Sequence, residues 1–117
     1  MAAIIFLKRV YDPVEASDGF RILVDRLWPR GVSKDAARID VWLKNVAPSP
    51  QLRQWFGHDP AKWGEFRSRY IQELCHNPDA IAQLTQYLQQ GRVTLIYAAR
   101  DKIHNHAAVL KDYLDNI

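Results

Sequence analysis

The sequence predicts a single α/β domain in which a small, mostly parallel sheet of about three strands is covered by about five helices. Three short apolar runs, residues 4–7, 20–24 and 93–97, are continuous instead of alternating, the mark of strands buried on both faces. Between the second and third runs, three pairs of a capping residue followed by proline open amphipathic segments. The length, 117 residues, suits one domain and is too short for two independent cores.

The first run, from Ala2 to Leu7, is cut off at Lys8 and Arg9. It falls far short of the roughly 20 residues that span a bilayer. No basic stretch precedes it and no small-residue cleavage site follows, so a buried strand is expected and not a secretory signal. Residues 12–19, with Asp12-Pro13 and Asp18-Gly19, read as a turn-rich connection. The second strand ends at the polar pair Asp25 and Arg26.

Helix starts follow. Ser33 precedes Lys34 and Asp35, and Ser49-Pro50, Asp59-Pro60 and Asn77-Pro78 each put a side-chain acceptor at the N-cap and proline at the first helical position. Trp63, Phe66, Tyr70, Ile71 and Leu74 recur at intervals of three and four, forming an apolar face that excludes Arg67, Arg69 and Glu73. Ile81, Leu84 and Leu88 repeat the pattern up to a stop at Gly91. Val109, Leu110, Tyr113 and Leu114 give the last helix its buried side, while Trp42, Trp55 and Trp63 are assigned to helical apolar faces. No repeat or linker divides residues 1–117.

Hydrophobic residues make up 48% and charged residues 25%, which fits a folding chain and not a disordered one. A single cysteine rules out an intrachain disulfide and a thiolate metal cluster, which suits a reducing cytoplasm. Cys75, beside Leu74 on an amphipathic helix, is expected to be a buried structural thiol. A net charge of +3 and a pI near 9.2 favour anionic partners without the dense basic stripe of many nucleic-acid binders. A small anion or nucleotide is therefore preferred to nucleic acid. No membrane partner is expected, and no pattern names a cofactor or an oligomeric state.

Two polar segments carry the candidate chemistry. Residues 25–31 follow the second strand, at the edge of an open α/β sheet where ligands most often sit, and set Arg26 and Arg30 around Trp28. Guanidinium groups grip anions and an indole stacks on a flat group. Residues 97–106 run from Tyr97 through the small Ala98 and Ala99 to Arg100, with Asp101 or Asn105 placed to cap the last helix. If the two strands are neighbours, Arg26, Arg30 and Arg100 converge. His58, in the corner formed by residues 55–60, is placed to reach the same site. His104 and His106 would diverge by about 200° on a helix start, so they do not form a metal site by themselves. The side-by-side letters His-Asn-His at 104–106 also lack the ββα context of the nuclease motif of that name.

The stretches Lys8-Arg9-Val10-Tyr11-Asp12, Asp18-Gly19-Phe20-Arg21, residues 23–31, Trp55-Phe56-Gly57-His58-Asp59, Tyr97-Ala98-Ala99-Arg100-Asp101 and Asn105-His106-Ala107 together resemble the YeaO-like bacterial proteins. The resemblance covers essentially the whole chain and implies a domain of unknown function. Longer relatives of that family carry a similar Val-Asp-x-Arg strand end and a Cys-His-Arg helix start. Asn105, His106 and Ala107 stand at the latter positions here, so cysteine chemistry does not carry over.

The correspondence does place Asp25 and His106 in one site, as candidate catalytic acid-base groups. Arg26, Trp28, Arg30, Tyr97, Arg100, Asn105 and His58 are the candidate ligand-binding residues. The resulting expectation is an anion- or nucleotide-binding α/β protein, with a hydrolase or transferase as its catalytic form. Its alternatives are a nucleic-acid-binding module, stacking bases on Trp28 and Trp55, or a protein-interaction domain in which both segments form a flat, dry patch.

Overall fold

A computed structural model describes residues 4–117; Ala2 and Ala3 of the first apolar run lie outside them. Four strands, β1 (Ile5–Arg9), β2 (Phe20–Leu23), β3 (Val41–Trp42) and β4 (Val93–Tyr97), form one sheet in the order β1-β4-β2-β3. All pairs are parallel, with Leu7 opposite Leu95 and Leu95 opposite Ile22. Helices α1 (Lys34–Ala37), α2 (Pro50–Phe56), α3 (Trp63–Cys75), α4 (Pro78–Leu88) and α5 (His106–Asp115) supply the covering layers, so the α/β class and the five helices hold. The fourth strand is the departure. At two residues β3 is too short to show a pattern, and Trp42, expected on a helix, lies in it.

The last strand in sequence is the central one, inserted between β1 and β2, and all five of its residues are buried. Alternation divides the sheet into two faces. Ile22, Val24, Val93, Leu95 and Tyr97 join the main core with Leu52, Phe66, Tyr70, Leu84 and Leu110 from the helices. Leu23 and Ile96 point the other way, into a smaller cluster with Val10 and Ala37 that Trp28, Val32, Ile39 and Trp42 cover. Each fully buried aliphatic side chain contributes on the order of 1.5–3 kcal/mol.

Capping is realised unevenly. Ser49 accepts the amide of Leu52 at 3.2 Å, and Glu73 of α3 accepts both the Ser49 amide and its hydroxyl, tying the start of α2 to α3. Asp59 accepts the amide of Ala61 and opens a 3₁₀ turn, Pro60–Lys62, that leads into α3. Asn77 makes no cap bond and donates instead to the Asn45 carbonyl. Gly91 lies past the C-cap of α4, Gln89, in the turn toward β4. Cys75 is exposed, which corrects the expected burial. It lies about 100° around the helix from Leu74, and the buried stripe runs through Phe66, Tyr70 and Leu74.

The connection from β1 to β2 is locked by charge. Lys8 donates to Glu15 at 2.8 Å and to Asp18 at 2.7 Å, and Arg21 donates to Asp18 at 2.6 Å while also reaching the carbonyls of Ala37 and Arg38. Gly19 follows at φ 67°, where an added Cβ would sit 2.4 Å from the Arg92 carbonyl oxygen. That oxygen accepts the Phe20 amide as β2 begins, so only glycine fits.

Candidate functional site

Parallel strands send their C-terminal ends to the same edge, and β2 and β4 are neighbours there. The loops after them, together with α2 and the start of α5, enclose a cleft of about 840 Å³. Its floor is apolar, with Ala47, Pro48, Phe56, Phe66, Ala98 and Ala99. Arg26, Arg53 and Arg100 enter it from three different elements, alongside His58, His104 and His106.

Asp25 and His106 meet in the interior wall. Nε2 of His106 lies 3.0 Å from Asp25 Oδ1 and 3.1 Å from the Val24 carbonyl, and both side chains are about one-sixth exposed. A carbonyl only accepts, so Nε2 carries the proton and aims it at Val24; Oδ1 is left buried without an aligned donor. Asp25 Oδ2 accepts the Ala98 amide at 3.0 Å, and its own carbonyl accepts from the Trp42 indole. The pair therefore joins the end of β2, the loop after β4 and the first turn of α5.

The surrounding groups are similarly fixed. Arg26 donates to the carbonyls of Ala47 and Pro48, which leaves part of its fork for the cleft. Arg9 of β1 donates to the carbonyls of Ala98 and Ala99 and holds that loop from behind. Asn105, 2% exposed, is the N-cap of α5: Oδ1 accepts the Ala108 amide and Nδ2 donates to the Asp101 carbonyl, each at 2.9 Å. Asp101 accepts the amides of Ile103 and His104 on one oxygen and meets His104 Nδ1 with the other at 2.9 Å. Those two amides, with the imidazole behind them, hold the Asp101 carboxyl down to about 2.

Asn105→Ala removes both of its bonds from a buried position, and a loss of about 1–2 kcal/mol is expected in urea unfolding. Asn105→Ser keeps the cap and should recover about half. Equal stability of all three proteins would contradict this role.

Of the residues singled out by sequence, Asp25, His106, Arg26, Arg100, Asn105 and His58 line the cleft together. Trp28, Arg30 and Tyr97 do not. The Trp28 indole donates to the Val32 carbonyl and packs against Trp42 beneath the smaller cluster. Arg30 is exposed, and only its carbonyl is used, by the Tyr11 hydroxyl. Tyr97 faces the main core, and burial raises its phenol. Trp55 lies between Arg69 and Lys62, so neither indole expected to stack on bases is free.

Arg53 was not in the expected set, while Asp101 and His104 fell within the second polar segment but were read as a cap and as one of a histidine pair, not as ligand-binding residues. An arginine in a short helix reads as solvated surface. Only the tertiary placement of α2 over the edge of the sheet brings Arg53 in. Among the described residues no group of three or more His, Cys, Asp or Glu is arranged to hold a metal ion, and no helix is long and apolar enough to cross a membrane.

A family model described as the inactive DUF488-N3 subclade matches residues 4–117. An uncharacterized protein of Mycobacterium tuberculosis (strain ATCC 25618 / H37Rv) is 45% identical over 107 residues, covering 92% of this chain and 90% of its own. The uncharacterized protein YeaO of Escherichia coli (strain K12) is 43% identical over 110 residues, covering 94% and 96% respectively. No solved structure matches.

Proposed function

We propose that this chain, which belongs to the inactive DUF488-N3 subclade, is a binding domain that holds a phosphorylated or similarly anionic small molecule at the β2–β4 edge without transforming it. The observation that carries this reading is the composition of the cleft. Three guanidinium groups, from Arg26, Arg53 and Arg100, converge on it, and none of its lining residues is a cysteine, serine, threonine or lysine. The first set suits recognition of an anion, and the missing second set leaves the cleft without a hydroxyl, thiol or amine nucleophile.

The description of the family as inactive agrees with it. So does Asn105: where the resemblance puts a cysteine, this chain has a buried N-cap with both ends of its amide employed. In this reading Asp25 and His106 are positioning residues that shape the wall, since Asp25 Oδ2 is held by the Ala98 amide and His106 Nε2 by the Val24 carbonyl.

A thermal-shift series with inorganic phosphate, ribose 5-phosphate and adenosine 5′-monophosphate tests the proposal. A ligand at a hundred times its Kd stabilises the fold by about 2.7 kcal/mol, several degrees for a chain of this size. At least one probe should do this and be recovered unchanged. No shift with any of them, in the native chain and in Arg53→Ala alike, defeats the reading; conversion of a probe defeats its non-catalytic half.

A further inference from the structure

Two imidazoles two residues apart serve this cleft in opposite senses. His106 turns Nε2 inward to Val24 and Asp25 and is nearly enclosed. His104 instead gives Nδ1 to Asp101, sets its ring edge-on to Trp63 with centroids 5.2 Å apart, and keeps one-third of its side chain exposed. The Asp101 carboxylate is itself pinned by two amides, so it fixes both the tautomer and the orientation of the ring, in the manner of carboxylate-supported imidazoles. Nε2 of His104 makes no hydrogen bond within the protein among the described residues and is not buried.

We propose that His104, positioned by Asp101, is the imidazole that meets the ligand, and that the ligand is a phosphate monoester with an apolar or flat organic body. This rests on the binding role proposed above and names the class of molecule. The charge balance supports it. Arg26, Arg53 and Arg100 against Asp25 and Asp101 leave a net positive charge in the cleft, which favours an anion.

A monoester carries close to two negative charges at neutral pH over three acceptor oxygens, so one oxygen can face Nε2 while the others face the guanidinium groups. A diester or a carboxylate carries a single charge over two such oxygens. The organic body follows from the floor, where Ala47, Pro48, Phe56, Phe66, Ala98 and Ala99 offer no side-chain hydrogen bonds.

Phenyl phosphate, its methyl diester and benzoate are the probes. In calorimetric titrations the monoester should bind about tenfold or more tightly than the other two, the equivalent of one charge-assisted hydrogen bond. His104→Asn keeps a donor toward Asp101 but removes Nε2 and should lose about tenfold; His104→Gln, which restores a polar group near that position, should lose less.

Imidazole ¹⁵N spectra of the native chain give a readout independent of any variant's folding. Phenyl phosphate should move the His104 Nε2 resonance and leave His106 in place, and Asp101→Asn should switch the His104 tautomer. Equal binding of monoester and benzoate overturns the ligand class. Native affinity in His104→Asn, or a shift confined to His106, overturns the residue, and if Arg53→Ala still weakens binding the cleft's role stands without it. Failure of every probe to bind the native chain defeats both.

Discussion

Asp18→Ala is expected to cost about 3–5 kcal/mol of stability in urea unfolding at pH 7, the range for removing one partner from a buried ion pair. Asp18 is 5% exposed and Arg21 3%. Removing the carboxylate leaves a guanidinium in the interior and frees Lys8 from one of its two carboxylate partners. The damage extends beyond the pair, because the same node fixes Arg21 to the end of α1 through the Ala37 and Arg38 carbonyls.

The pH dependence follows. Burial pushes the Asp18 carboxyl up, but the Lys8 ammonium, the Glu15 amide and the Arg21 guanidinium outweigh it and hold the group below 3.8. A carboxyl depressed in the folded state stabilises above its unfolded value and loses that contribution as pH falls through the folded one. The gap between native chain and Asp18→Ala should thus be full at pH 7 and shrink below pH 3.8. The Lys8 ammonium, raised chiefly by the Asp18 hydrogen bond, contributes below 10.5 and is lost as pH climbs past its folded value. A variant within about 1 kcal/mol of the native chain at pH 7 would show that the node carries little.

The fold was legible where local physics decides the outcome. Three apolar runs became β1, β2 and β4, and the Ser-Pro and Asp-Pro pairs became helix starts, because burial and capping act within a few residues. Strand β3 was hidden, since two residues show no period and Trp42 is bound by its indole to the Asp25 carbonyl, a tertiary reason. Asn77 had the right neighbour in Pro78, yet its side chain is drawn to Asn45, 32 residues away. The cleft was legible in its strand-end part. Asp25, Arg26 and Arg100 follow from the rule that ligands gather at the carboxyl edge. Arg30 and Trp28 lie outside the lining of the cleft although they adjoin Arg26 in sequence. The chain turns away after Pro29, and Trp28 folds beneath the opposite face of the sheet.

That same division gives the strongest functional contrast. Arg53→Ala combined with Arg100→Ala is expected to weaken phenyl phosphate by about a hundredfold or more, since each charge-assisted bond is worth about tenfold or better and two are removed. Arg30→Ala should change the affinity less than about twofold, because its side chain lies outside the cleft and the carbonyl used by Tyr11 survives the substitution. Arg26 is the less informative target. Its guanidinium also braces the Ala47 and Pro48 carbonyls, so losing it moves the wall as well as removing the charge. The native affinity should fall with added salt, and the double variant should show a shallower dependence because fewer charges remain to be screened. An Arg30→Ala defect as large as that of the double variant would move the anion site off the β2–β4 edge.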